Sequence, residues 1–104
     1  MKQGDVYWYT FRAPDKRRPV LILTRNSAIS YLNSVIVAQI TTTIRGVPSE
    51  VVLNIDDGMK GRCAVNLHNA VTVARSRLGR RVGSLNARRM QEVCAALRFS
   101  LACG

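Results

Sequence analysis

The chain has 104 residues, 47% of them hydrophobic and 21% charged, a composition that argues against disorder and against more than one domain. A chain of this length buries about 60–70% of its unfolded surface, so neither disulfides nor a metal ion is needed to hold it together. Sixteen Lys and Arg against six Asp and Glu leave a net charge of +10, and thirteen of the cations are Arg, the side chain that forks onto phosphate and stacks on bases.

Strands come first. DVYWYTF (5–11) alternates Val6, Trp8 and Thr10 with Tyr7, Tyr9 and Phe11, the pattern of a strand with aromatics on both faces. Further strands are predicted at RPVLILT (18–24), SVIVAQIT (34–41), EVVLNI (50–55) and RCAVNLHNAVTVA (62–74), all rich in Val and Ile and mostly too short for helices. The intervening RAPDK, RNSAISYLN, TIRGVPS and DDGMKG carry the Pro, Gly, Asn, Asp and Ser of turns. Together they predict an antiparallel sheet curling into a small barrel.

Near the end of the chain the period changes. Met90, Val93, Cys94, Leu97 and Leu101 recur at helical spacing and predict an apolar stripe laid on the barrel. Asn86 is placed to cap this helix, and Leu85 to staple onto Met90. Arg88, Arg89 and Arg98 fall on the other side, the expected solvated face. Cys63, Cys94 and Cys103 are odd in number and form no CxxC pair, so they read as small buried hydrophobes of a protein in a reducing cytoplasm. No secretory signal pattern opens the sequence, and no apolar run approaches the roughly 18 residues of a membrane span.

Several chemistries lack their parts. His68 is the only histidine, so one chain cannot build the two-histidine acid and base pair of many ribonucleases, and on a strand it reads first as structural. Asp56 and Asp57 are the only adjacent carboxylates, and in a DDG turn signal they do not make a two-metal centre. There is neither a nucleophile elbow nor a phosphate loop of the GxxxxGK[ST] type. Cations and hydroxyls remain. Arg18 stands where a buried strand begins, a support that positions a guanidinium better than a free loop does. Thr41 and Thr43 share one face of the third strand, with Thr42 on the other.

GDVYW (4–8), RPVLIL (18–23), VIVAQITT (35–42), EVVL (50–53) and RLGRRVGSLNARRMQEVCAAL (77–97) resemble, in order and rough spacing, the MazF/PemK toxins of bacterial toxin–antitoxin pairs. The resemblance implies a small SH3-like barrel of the CcdB/MazF type with a C-terminal helix, forming a homodimer. It implies a sequence-selective endoribonuclease that cuts single-stranded RNA with no metal or other cofactor, restrained by an antitoxin with an acidic, partly disordered segment. The catalytic residues it marks are Arg18 and Thr41, and Lys16, Arg17, Asn26, Thr42 and Asn69 are candidate substrate contacts. Two blocks depart from the pattern. TFRAPDKR (10–17) lacks the Gly-x-Glu usual before RPV and has Asp15 as its only acid, and NLHNAVTV (66–73) replaces an acid-Gln-Ile-Arg run, with Asn69 in place of the Gln.

Attack of a ribose 2′-hydroxyl on the neighbouring phosphorus builds charge on phosphate oxygens, where preorganised donors act most strongly. Arg18 and the Thr41 hydroxyl are such donors, and a guanidinium is too basic to serve as the general base. Arg12, Lys16, Arg17, Arg25 and Arg45 are expected beside the site, with Tyr7, Trp8, Tyr9 and Tyr31 as candidate stacking faces. A gyrase-poisoning toxin on the same barrel and a catalytically silent RNA-binding module remain as alternatives, both without the need for Arg18 in cleavage.

Overall fold

The computed structural model describes residues 1–12 and 16–102, so the expectations attached to Asp15 and Cys103, and to the Lys16 side chain, lie outside the described residues. Among the described residues six strands form one sheet: β1 (Asp5–Phe11), β2 (Lys16–Ile22), β3 (Ser34–Thr41), β4 (Glu50–Leu53), β5 (Cys63–Ala74) and β6 (Arg81–Ser84). Their order is β4-β5-β3-β2-β1-β6, and every neighbouring pair is antiparallel. The α-helices among the described residues are α1 (Asn26–Ile29) and α2 (Ala87–Leu101). None of the described helices is long and apolar enough to cross a membrane.

Alternation along the strands feeds two cores. On one face Val6, Leu21, Ala38, Ile40, Leu53 and Val65 pack with Val93 and Ala96 of α2. On the other, Val20, Ile22, Val35, Val37 and Val73 pack with Ile29 of α1, under a partly buried layer of Tyr7, Tyr9 and Phe11. This is the mainly β architecture with a C-terminal helix read from the sequence, and aromatics do fall on both faces of β1 because Trp8 shares the face of Val6.

The boundaries differ where local hydrogen bonds compete with the ladder. β2 begins at Lys16 and ends at Ile22, because it pairs with β1 as far back as Phe11↔Lys16 while the chain after Leu23 turns into α1, inside the expected loop RNSAISYLN. β4 stops at Leu53: the Asn54 side chain accepts from the Asp56 N–H, Asp57 returns the bond to the Asn54 N–H, and Gly58 closes the 3-10 turn at φ 88°. Such local side-chain bonds offer the backbone an alternative to the sheet. β6 has no counterpart among the predicted strands. Its four residues, RVGS, carry no clear alternation, and β1 recruits them: the Trp8 N–H donates to the Arg80 carbonyl at 3.0 Å, and the Leu85 N–H to the Gly4 carbonyl at 2.9 Å.

The C-terminal helix starts as its sequence predicts. The Asn86 side chain accepts from the Arg89 N–H at 2.9 Å, and Leu85 and Met90 both join the α2 core. The buried stripe, however, centres on Val93 and Ala96, with Met90 and Leu97 at its margins, while Cys94 is exposed and Leu101 is 66% exposed. Periodicity locates a stripe only to within a residue or so, and the small side chain of Ala96 faces the sheet where Cys94 was expected. Cys63 is buried as anticipated; Cys94 is not.

Arg89 corrects a second expectation. Rather than lying on a solvated face, its side chain is 14% exposed and grips Asp57 with two bonds, Nε to Oδ1 and Nη2 to Oδ2, each 3.0 Å. Burial acts to raise the Asp57 pKa, but the Arg89 hydrogen bonds, the Asn54 N–H and the charges of Arg89 and Arg88 outweigh it and hold the carboxyl below its ordinary value. The same carboxylate raises the pKa of Arg89. The pair fastens α2 to the turn between β4 and β5.

Candidate active site

Strand register alone brings Arg18 to Thr41. In the β2–β3 ladder Val20 faces Gln39 and Ile22 faces Val37, and continuing two residues further puts Arg18 opposite Thr41 on the same face. The side chains meet there: Arg18 Nη1 donates to Thr41 Oγ1 at 3.2 Å. Thr41 Oγ1 also accepts from the Thr43 N–H at 3.1 Å. With both lone pairs of the hydroxyl engaged, its own proton is directed elsewhere, as a donor. Arg18 is half-buried, with Nε and Nη2 completing its fork.

The next row of the sheet supplies amides. Gln39 faces Asn66 across β3 and β5, and Asn66 faces Glu50 across β5 and β4. Gln39, Asn66 and Asn69 share with Arg18 and Thr41 the lining of a cavity of about 230 Å³. Glu50 also reaches it, but its carboxylate accepts from the Arg45 and Gly46 N–H groups, each at 3.0 Å, and so holds the turn that precedes β4. Asn69 comes into range because the β3–β5 register slips between Val37 and Gln39, opposite Val71 and Asn66, so that residues 67–70 bulge from the ladder. His68 is exposed on this bulge, its backbone N–H donating to Asn66 Oδ1 at 3.0 Å.

A second cavity, about 630 Å³, opens on the opposite face at the same end of the sheet. Neighbours on a strand point to opposite faces, so Arg17 and Thr42 line this cavity while Arg18 and Thr43 line the first; Thr41, at the rim, belongs to both. The Arg17 guanidinium lies 4.2 Å from the centre of the Trp8 ring. Cys63 is in the cavity wall, its thiol pKa raised by burial and then by the charge of Asp57.

Of the residues singled out in the sequence, the structure thus gathers Arg17, Arg18, Thr41, Thr42 and Asn69 at one end of the sheet. Asn26 is not among them. It follows the far end of β2, where its Oδ1 accepts the Gln3 N–H at 2.7 Å and secures the N-terminal segment. Arg25, the residue before α1, lies at that far end too, away from the site where it was expected. Tyr7 and Tyr9 are packed on the second core, and Tyr31, 74% exposed, follows α1 at the remote end. Gln39 and Asn66 were missed, although each is an amide interrupting an aliphatic strand two residues or one strand away from Thr41. Among the described residues no three His, Cys, Asp or Glu side chains gather as metal ligands.

Comparison with known proteins points the same way. The family described as PemK-like, MazF-like toxin of type II toxin-antitoxin system matches residues 2–101. Probable endoribonuclease MazF5 of Mycobacterium tuberculosis is 42% identical over 102 residues, 97% of this chain and 93% of that protein. Among solved structures, the Mycobacterium tuberculosis toxin MazF-mt6 superimposes with a TM-score of 0.88 at 32% identity, covering 96% of this chain and 98% of that one. An endoribonuclease in complex with its cognate antitoxin from a mycobacterial species gives a TM-score of 0.89 at 26% identity, over 100% of this chain and 97% of its own.

Proposed function

This chain belongs to the PemK-like, MazF-like toxin family of type II toxin–antitoxin systems, and from that premise we propose that it cleaves single-stranded RNA in the cytoplasm through Arg18 and Thr41, without a metal. The observation that carries this reading is the 3.2 Å bond from Arg18 to Thr41, held in a cavity that the amides Gln39, Asn66 and Asn69 also line.

A ribose 2′-hydroxyl attacks the adjacent phosphorus and releases its proton to solvent, the bond to the 5′-oxygen of the next nucleotide breaks and that oxygen takes up a proton from solvent, and the products are a 2′,3′-cyclic phosphate and a 5′-hydroxyl. Negative charge grows on the non-bridging oxygens during this step. Arg18 meets one of them with its fork and Thr41 donates its hydroxyl proton to another, both already held in place by β2 and β3, so little reorganisation is required. One such donor is worth about 3 kcal/mol, or roughly a hundredfold in rate. Gln39, Asn66 and Asn69 present amide donors and acceptors to the bases beside the cut, which is how a site reads unpaired nucleotides.

The net charge of +10 draws RNA to the site and equally draws an acidic, partly disordered antitoxin segment that folds as it binds. The related endoribonuclease solved with its cognate antitoxin supports that partner, and a homodimer with two RNA sites is the assembly this reading takes.

The test is cleavage of a mixed single-stranded RNA in excess EDTA by the protein and by an Arg18→Ala variant, with cut positions and end groups mapped. Discrete cuts bearing cyclic phosphate and 5′-hydroxyl ends, reduced at least about a hundredfold in the variant, are expected. Cuts that vanish in EDTA, or that the variant makes equally well, would refute the assignment.

A further inference from the structure

The larger cavity has no part in the chemistry above, yet its lining is specific. Its cations are Arg17, Lys60, Arg62, Arg80 and Arg81, and none of its described lining residues is acidic. Among the described residues only Arg81 of these cations has a carboxylate partner, Asp5 at 3.5 Å, and its side chain is still 51% exposed. The floor is apolar, built from Pro19, Ile40, Met59 and Val82. A cationic rim above an apolar floor fits a ligand that is anionic at one end and flat and apolar at the other.

Trp8 supplies the plane. Its ring backs the Arg17 guanidinium at 4.2 Å, which leaves the outer face of that planar group to the cavity. The Trp8 backbone is held by both of its polar groups to the segment before β6, its N–H donating to the Arg80 carbonyl at 3.0 Å and its carbonyl accepting from the Gly79 N–H at 2.7 Å. Gly79 permits this approach, since a Cβ there would stand 3.2 Å from the Trp8 carbonyl oxygen. A guanidinium so backed keeps its orientation before any ligand arrives, and guanidinium planes stack on nucleobases.

We propose that this cavity is a nucleotide subsite in which one base of the RNA flanking the cleaved phosphate stacks on Arg17, itself laid on Trp8, with its phosphates among Lys60, Arg62 and Arg80. The proposal rests on the RNA-cleaving reading above. The strand passes over the rim at Thr41 and Thr42, so that the reacting phosphate lies on the Arg18 side and the stacked base on the Arg17 side. A cavity of about 630 Å³ is within the usual range for such ligands, about 300–1,000 Å³.

Trp8 is the only tryptophan, so its emission reports on this cavity alone. The probe is a short mixed-sequence 2′-O-methyl RNA, which binds but lacks the attacking hydroxyl, with inorganic polyphosphate and polyglutamate as anions that have no bases. Saturable change of Trp8 emission with the RNA and none with either polyanion is expected. Arg17→Lys keeps the charge and removes the plane, so binding of a labelled copy of the RNA, read by anisotropy, should weaken about 10-fold with an unchanged salt slope. Lys60→Ala should lower the log–log salt slope by about 0.7, as one lost phosphate contact on a single strand does. Emission that responds equally to polyphosphate, or only to polyglutamate, overturns the proposal, and so does Arg17→Lys binding as tightly as the parent. Cleavage of unmodified RNA by the same preparation separates the two readings. Cutting with silent Trp8 emission removes the subsite and leaves the ribonuclease, whereas a Trp8 response without cutting removes the ribonuclease and leaves the subsite.

Discussion

Replacing Arg89 by alanine isolates the contact that fastens α2 to the turn between β4 and β5. Asp57, 6% exposed at its side chain, loses two charge-assisted bonds of 3.0 Å and keeps the Asn54 N–H. Removing one member of a buried ion pair costs about 3–5 kcal/mol, and the surviving Asn54 bond brings the expectation to about 2–4 kcal/mol at neutral pH. For a domain of this size each kcal/mol lowers the melting temperature by about 4–8 °C. The pH dependence carries the sharper test. In the parent the Asp57 pKa is depressed, so its contribution is full above the ordinary carboxylate range and is lost as pH falls through the folded value. In the variant burial is opposed only by the Asn54 N–H and the charge of Arg88, so the folded pKa of Asp57 rises above the parent's. The difference between the two proteins in urea unfolding should therefore shrink as pH falls from the variant's folded value toward the parent's depressed one, by up to roughly 1.4 kcal/mol for each pH unit. A difference that is below about 0.5 kcal/mol at neutral pH, or that stays constant on acidification, would show that the pair is not the buried fastening described here.

Thr41→Val keeps the shape of the side chain and removes the hydroxyl, so RNA cleavage should fall by roughly 10²-fold while the melting temperature moves little; unchanged cleavage would take Thr41 out of the clamp. Asn86→Ala removes the acceptor of the Arg89 N–H and should destabilise the protein by about 1 kcal/mol in urea unfolding, with cleavage per folded molecule unchanged. Alkylation mapped by mass spectrometry should label exposed Cys94 in the native protein and leave Cys63 unmodified until the chain is unfolded, because burial both shields that thiol and keeps it protonated.

Five of the six described strands and the helix with its Asn86 cap and Leu85 staple were legible in the sequence, while Arg18 and Thr41 were singled out there one by one, through the family resemblance. The elements were legible because they rest on short-range physics: alternation of period two, a helical stripe, and a cap whose hydrogen-bonding geometry is local. What escaped it depends on partners distant in the chain. RVGS becomes β6 only because β1 offers it an edge, and Arg89 leaves the solvated face because Asp57, 32 residues earlier, turns toward α2. Asn26 had the chemistry of a substrate contact and the wrong end of the strand, beyond Ile22 where β2 gives way to α1, a placement that composition does not reveal. The tertiary structure alone decided that Arg17 and Arg18, adjacent in sequence, serve cavities on opposite faces, because only the assembled sheet supplies Trp8 as a backing for one and Thr41 as a partner for the other.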